Sequence, residues 1–351
     1  MSQQLADVQS ADGGIVADQF ADMDACFDAF DQDGDGKIDF ADFGRICSAL
    51  FRNDKGIVYT CSEENQKEMF GIFDQNKDGY IDRNEFKFCW NKWIKKIVRP
   101  VSVLLVIDVQ NDFISGSLSL SNCTAKQNGE EVIKPINQLL DNVQFDGICY
   151  SLDWHPADHV SFIDNITKRK IHSTSPLRAD QAQVYDTVIF DGKPPTTQRL
   201  WPRHCVQNSW GAELHKDLKI GKDATLVYKG INSDVDSYSA FFDNKKMSRT
   251  CLQEKLVELG ATDVYVCGLA YDVCVGSTAA DALAIGYRTI MINDCARGVN
   301  FDDIESTKKK FKDTHGIIVE SSQVKAMVEG RDRRPELGYK LAVELKKDQQ
   351  K

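Results

Sequence analysis

The chain has 351 residues, 42% hydrophobic and 27% charged, with a formal net charge of −10. That length suffices for two domains and a large core, and the acidic balance argues against nucleic acid or an anionic membrane as the main partner. The eleven cysteines are odd in number and lack a CxxC pair, and no apolar run approaches the roughly 18 residues that span a bilayer. With no signal peptide recognised, the cysteines read as reduced thiols and the expected compartment is the cytoplasm, with the nucleus left open.

Residues 1–17 are small, polar and acidic and read as a mobile tail. In the next stretch Asp31, Asp33, Asp35 and Asp39 supply oxygens at positions 1, 3, 5 and 9 of a loop, with Gly36 at 6 and Ile38 at 8. This spacing is that of an EF-hand calcium loop, where a hard cation needs oxygen ligands and the glycine permits the sharp turn. A second loop runs from Asp74 through Asn76, Asp78, Gly79, Ile81 and Asp82 to Glu85. Lys37 and Tyr80 would each offer a backbone carbonyl at position 7. Phe20, Met23, Phe27 and Phe30 before the first loop, and Phe43, Ile46 and Leu50 after it, recur at helical spacing. Met69, Phe70 and Phe73, then Phe86, Phe88 and Trp90, flank the second. Residues 18–97 therefore resemble a paired EF-hand module. The loops differ at position 12: Glu85 is long enough to chelate bidentately, whereas Asp42 is a methylene shorter, so the second site is expected to bind Ca2+ more tightly and the first to be weak, Mg2+-tolerant or monodentate there. Trp93, Ile94 and Ile97 prolong the last helix until Pro100 stops it.

Composition shifts at once. Residues 101–107, then 147–152, 224–228, 263–267 and 287–292, are β-branched apolar runs, with helical stretches between them such as 130–143 and 248–259. This alternation predicts an α/β domain over 100–330, a doubly wound, mostly parallel sheet with helices on both faces, beside the small all-α EF-hand pair. Residues 331–351 are charged, lack a clear apolar stripe and are expected to form an exposed tail, in part helical.

The chemistry-bearing residues mostly follow strands. Asp108 comes after the first, Asp153-Trp154-His155-Pro156 after the second, Lys229 after the run at 224–228, and Cys274 after the run at 263–267. In a parallel sheet those ends converge on one crevice, so a carboxylate, an ammonium and a thiol could meet there. Cys274 also precedes a helix, whose dipole is expected to lower the thiol pKa, and Lys229 would favour the thiolate further. Asp108 is placed to accept the thiol proton and return it to a leaving group. Asp153 and His155 are two apart on an extended segment and face one side.

Five separated motifs carry a family resemblance: Asp108-Val109-Gln110-Asn111-Asp112-Phe113, the run Asp153 to Phe162, Trp201-Pro202-Arg203-His204-Cys205-Val206, Lys229-Gly230, and Gly268 to Val275. Together, over about 100–325, they resemble the isochorismatase-like cysteine hydrolases, and the Asp-Trp-His and Trp-Pro-Arg-His-Cys segments resemble the nicotinamidase/pyrazinamidase branch. With the EF-hand module in front, the chain resembles the EF-hand-containing nicotinamidases of animals. The resemblance implies a triad of Asp108, Lys229 and Cys274. It implies a divalent metal, Zn2+ or else Fe or Mn, on Asp153, His155 and His204, orienting the pyridine ring of nicotinamide. It also implies aromatic walls at Phe113, Trp201 and Tyr238, an oxyanion held by the backbone N–H groups of Ala270 and Cys274, and a cis peptide at Leu269–Ala270. For His159 a structural role is favoured.

Two departures stand out. Gln207-Asn208-Ser209 occupies a place where the family commonly has a glycine before Ser or Thr, and Val273 is aliphatic where some relatives are aromatic. The rival functions are hydrolysis of another small amide, hydrolysis of isochorismate in a branch lacking the metal, and a calcium-binding interaction protein with an inactive hydrolase domain. A homo-oligomer is compatible with this reading.

Overall fold

A computed structural model describes residues 22–349. The expected tail at 1–17 and Phe20 of the first EF-hand helix lie outside those residues.

Helices Met23–Phe30 and Phe40–Leu50 flank the first loop, and Glu63–Phe73 and Arg83–Cys89 flank the second. Each exit helix begins with a reciprocal cap. Asp39 accepts from the Asp42 N–H while Asp42 accepts from the Asp39 N–H, and Asp82 and Glu85 repeat the exchange. These bonds satisfy N–H groups that the first helical turn leaves unpaired. The loops are joined back to back by Ile38 and Ile81, whose N–H groups donate to each other's carbonyls at 3.0 and 2.9 Å. The last helix runs on through a π-helical turn, Trp90–Ile94, into Lys95–Val98.

The second domain contains strands β1 (Ser102–Ile107), β2 (Gly147–Asp153), β3 (Thr187–Phe190), β4 (Thr196–Arg199), β5 (Thr225–Lys229), β6 (Asp263–Leu269), β7 (Arg288–Arg297) and β8 (Ile317–Val319). Six of them form one parallel sheet in the order β5-β2-β1-β6-β7-β8, while β3 and β4 pair as an antiparallel ribbon outside it. Both faces are covered. Leu104 and Val106 of β1 pack with Ile136 and Val324 on one side, while Val103, Leu105 and Ile107 pack with Leu256, Ala279 and Phe311 on the other. Burial on two sides is why β1 reads as an unbroken apolar run. From β1 the chain steps outward to β2 and β5, then returns to β6 and winds the other way. The crevice where strand order reverses therefore opens beside the C-terminal end of β1. The sheet gains a sixth strand, β8, too short at three residues to stand out by pattern.

The segment expected as an exposed charged tail is instead largely a docked helix, Pro335–Gln349. Leu337 belongs to the hydrolase core, while Leu341 and Ala342 belong to the EF-hand core. These apolar positions lie about one turn apart on one face, among lysines and glutamates that hide the stripe. Among the described residues no helix is long and apolar enough to cross a membrane, and all eleven cysteines are free.

Candidate active site

Four strand ends bring the predicted triad together. Asp108 follows β1, Asp153 closes β2, and Lys229 closes β5 directly opposite Asp153 in register. Cys274 lies beyond β6 in the π-helical turn Tyr271–Val275, which leads into helix Gly276–Ile285. The Leu269–Ala270 peptide just before that turn is cis. Lys229 is 1% exposed. Its ammonium lies 2.9 Å from Asp108 Oδ2 and donates to Asp153 Oδ1, to the Ser237 carbonyl at 2.9 Å and to Cys274 Sγ at 3.3 Å. Asp108 adopts a left-handed backbone conformation, φ 48°, uncommon outside glycine. Its other oxygen accepts a hydrogen bond from Ser151 Oγ at 2.6 Å.

The electrostatics differ from the expectation of a thiol made acidic by the helix dipole. Burial pushes the Cys274 thiol well above its ordinary value, Lys229 pulls it down, and Asp108 and Asp153 push it back up. Burial likewise raises Asp108, against the pull of Lys229. Burial disfavours the Lys229 charge, yet Asp108, Asp153 and Cys274 together hold its pKa well above the ordinary value. Burial and the neighbouring carboxylates thus favour the ammonium on Lys229 and the thiol on Cys274, with the Asp108 carboxyl, itself raised, in reach. Desolvation is the largest influence on the thiol because the site is enclosed.

The predicted metal ligands also converge. Donor atoms of Asp153, His155 and His204 lie within 4.8 Å of one another, all buried. Asp153 Oδ2 is 3.4 Å from His155 Nε2 and 3.7 Å from His204 Nε2. Each imidazole is oriented through its other nitrogen, His155 Nδ1 on the Gly230 carbonyl at 2.9 Å and His204 Nδ1 on the Pro202 carbonyl at 2.7 Å. Backbone anchoring of one ring nitrogen is the usual way a metal-binding histidine is aimed, and a carboxylate with two imidazoles suits Zn2+, Fe2+ or Mn2+. A Cβ on Gly230 would stand 2.3 Å from the His155 ring, so only glycine permits this contact. The two motifs meet because the 204–207 segment runs alongside His155, whose N–H donates to Cys205 and whose carbonyl accepts from Gln207. Asp112 secures that segment by accepting from the Cys205 N–H at 2.7 Å. His159 stacks on His155, centroids 4.0 Å apart, and bonds Ser161 Oγ through Nδ1. Its Nε2 is buried without a hydrogen-bond partner, and donor atoms of His155, His159 and Asp236 form a second close group.

Phe113, Trp201, Tyr238, Ala270 and Val273 line a pocket against Cys274, Asp153 and His204. The predicted aromatic walls and the departure at Val273 therefore share one cavity. The other departure has a conformational explanation. Asn208 has φ 62°, a left-handed geometry in which asparagine is the common substitute for glycine. Sequence reasoning missed Asp236, a buried carboxylate in the pocket wall that accepts from Gln198 Nε2 at 2.8 Å. It also missed Ser151, and Gln110, whose side chain bonds both the N–H and the carbonyl of Asp153. Ser151 and Asp153 stand two apart in an otherwise apolar strand, a same-face signal that was available.

The two EF-hand loops differ as their position-12 residues suggest. Glu85 reaches across its loop, Oε1 accepting from the N–H groups of Gln75 at 2.8 Å and Asn76 at 3.0 Å. Asp42 stays local, held between the Asp39 N–H and the Arg45 guanidinium. Asp31 accepts from Gly34 and Gly36, and Asp74 from Asp78 and Gly79, so the position-1 carboxylates organise both loops. Donor atoms of Asp31, Asp33 and Asp35 lie within 4.8 Å. Asp35 accepts from the Lys37 N–H and Asp78 from the Tyr80 N–H, and the Lys37 ammonium lies 4.5 Å from the Tyr80 ring centre.

Comparison with known proteins places this geometry. The isochorismatase domain model matches residues 102–323 and the EF-hand domain pair model residues 20–89. The nicotinamidase of Escherichia coli strain K12 is 39% identical over 209 residues, 59% of this chain and 88% of that protein. Among solved structures, the Acinetobacter baumanii nicotinamidase/pyrazinamidase superposes with a TM-score of 0.54 at 32% identity, covering 64% of this chain and 98% of that one. The yeast nicotinamidase bound to the inhibitor nicotinaldehyde gives 0.53 at 30% identity, covering 62% and 99%.

Proposed function

The chain belongs to the isochorismatase domain family and carries an EF-hand pair, and from that premise we propose that it hydrolyses nicotinamide to nicotinate and ammonia, in NAD salvage. The observation that carries this reading is the meeting of Asp108, Lys229 and Cys274 with the donor set Asp153, His155 and His204, with Cys274, Asp153 and His204 in the lining of one aromatic-walled pocket. The nicotinamidases among its relatives support the substrate, and the buried donor set favours an amide over isochorismate.

Phe113, Trp201 and Tyr238 hold a flat aromatic ring and exclude water. Asp153, His155 and His204 would hold a divalent ion, Zn2+, Fe2+ or Mn2+. Such an ion supplies a Lewis-acidic contact that orients the pyridine nitrogen. Cys274 Sγ attacks the carboxamide carbon as its proton passes to Asp108. Lys229 stays protonated and stabilises the thiolate as it forms. The backbone N–H groups of Ala270 and Cys274 receive the developing oxyanion. Asp108 returns its proton to the amine, the C–N bond breaks and ammonia leaves a thioester on Cys274. Asp108 then takes a proton from water as the water adds to the thioester. The C–S bond breaks, nicotinate leaves, and the proton returns to the thiol. In the EF-hand module, Asp31, Asp33, Asp35, Lys37 and Asp42 would hold one Ca2+, and Asp74, Asn76, Asp78, Tyr80 and Glu85 a second, bound more tightly.

Ammonia release from nicotinamide tests the reading. The metal-replete protein turns over and Cys274→Ala falls to background. An inert wild-type protein carrying its metal refutes the assignment.

A further inference from the structure

EF-hand pairs commonly present an apolar groove to an amphipathic helix of another protein, read through anchors about one turn apart. Here that place is taken. We propose that the target of the EF-hand pair is built into the same chain: helix Pro335–Gln349 is its resident ligand, and Ca2+ binding and helix docking strengthen each other. The inference rests on the reading of the loops as Ca2+ sites and not on the amidase chemistry.

The contacts are specific and reach both halves of the pair. The Trp93 indole N–H donates to the Gly338 carbonyl at 2.8 Å. Phe51 lies edge-on to Trp93, and a Cβ on Gly338 would stand 2.4 Å from the Phe51 ring, so helix backbone rests directly on the aromatic floor. One turn on, Leu341 and Ala342 are buried in the EF-hand core. At the rim Tyr339 Oη donates to Glu68, and Lys346 pairs with Glu68 at 3.2 Å. Just before the helix, Arg333 is buried with its guanidinium on the carbonyls of Leu50 and Gly330, and its N–H donates to the Arg52 carbonyl at 2.8 Å. A guanidinium on last-turn carbonyls satisfies groups the helix leaves unpaired and complements the helix dipole.

Two of these anchors, Leu50 and Trp93, sit on the exit helices, while Glu68 belongs to the entry helix Glu63–Phe73 of the second loop. Leu50 lies two turns beyond Asp42, the position-12 residue of the first loop, in helix Phe40–Leu50. Trp93 lies two turns beyond Glu85 in the helical run that starts at Arg83. A shift of either position-12 carboxylate toward a bound cation is thus delivered to the segment 330–342. Leu337 fixes the same segment to the hydrolase core, so the clasp joins the two domains. Binding free energies are reciprocal: whatever Ca2+ adds to helix docking, the docked helix adds to Ca2+ affinity.

Amide hydrogen exchange on the full wild-type chain tests this without any variant. Residues 335–349 should gain at least about tenfold protection when Ca2+ is added, the scale of a typical coupling of about 5–150-fold. In calcium titrations Leu341→Arg, which drives a charge into the groove, should weaken binding about tenfold by the same coupling. Lys347→Ala, exposed on the same helix, should match wild type. Equal protection with and without Ca2+, or an unchanged Ca2+ affinity in folded Leu341→Arg, overturns the proposal. A chain that binds no Ca2+ overturns the reading of the loops and this inference with it, whereas Ca2+ binding without a change at 335–349 overturns the inference alone.

Discussion

Replacing Lys229 with Met keeps the aliphatic stem and deletes the charge on which the site is assembled. The ammonium is 1% exposed, 2.9 Å from Asp108 Oδ2, and bonded to Asp153, Ser237 and Cys274. At an effective dielectric near 20, one unit pair at that separation interacts by about 6 kcal/mol. Desolvation of the ions offsets much of that in the wild type. The variant, however, retains two buried carboxylates with no cation between them. Breaking a buried pair from one side costs about 3–5 kcal/mol. At about 2–4 °C per kcal/mol for a domain of this size, the Tm should fall by roughly 6–20 °C. Alkylation of Cys274 should slow as well, since the neighbour that favours thiolate is gone. The informative partner is Lys229→Met combined with Asp108→Asn, which removes one stranded carboxylate. It should recover about 1–3 kcal/mol of the loss while remaining inactive. Urea unfolding of the two single variants and the double variant at matched metal content gives the coupling directly. A cost below about 1 kcal/mol for Lys229→Met, or an Asp108→Asn change that adds to it, refutes the argument that this charge holds the strand ends together.

Ser151→Ala removes the 2.6 Å bond to Asp108; a hydrogen bond to a charged group is worth about 1.5–3 kcal/mol, so kcat for nicotinamide should drop about 10–100-fold with little change in KM. Asp112→Ala frees the Cys205 N–H and loosens the segment bearing His204; metal analysis after dialysis should show affinity weakened about 10–100-fold, and full retention refutes the anchoring role. Glu85→Gln should abolish or strongly weaken one Ca2+ event in a calorimetric titration, whereas Asp42→Asn, at a residue already held by Arg45, should change little. Equal losses in the two variants would contradict the asymmetry between the loops.

The parts of the site carried by short-range pattern were readable from the chain alone. Asp108 and Cys274 each follow an apolar run, because a strand buried on both faces has no other use for a polar residue than at its end. The EF-hand loops were readable because ligand spacing is a property of twelve consecutive residues. What resisted reading depends on distant partners. That Asp153 faces Lys229 is a matter of register between β2 and β5, strands 76 residues apart at that pair. Asp236 sits in an irregular polar stretch with no periodicity to mark it. The helix Pro335–Gln349 has an apolar face only a few residues wide, since its core is supplied by two other parts of the chain. The raised thiol pKa is not legible in the sequence for a related reason: the helix dipole is a local feature, but burial is the sum of everything folded around the sulfur.

Asp153 links the proposed triad to the proposed metal ligands. Its Oδ1 accepts from Lys229, while its Oδ2 faces His155 Nε2 and His204 Nε2 at 3.4 and 3.7 Å. Burial works against its charge, yet Lys229 and His155 hold the carboxyl well below its usual range. It therefore stays ionised where an isolated buried acid would take up a proton. Gln110 pins its backbone from both sides, so neither oxygen can turn to one partner without leaving the other. Lys229 needs that second carboxylate as well: burial alone would strip a proton from a lysine so enclosed, and the thiol would lose the cation beside it. The carboxylate that would bind a metal is thus also one that keeps Lys229 charged, and the proposed metal site and the proposed nucleophile are electrostatically interdependent through a single side chain.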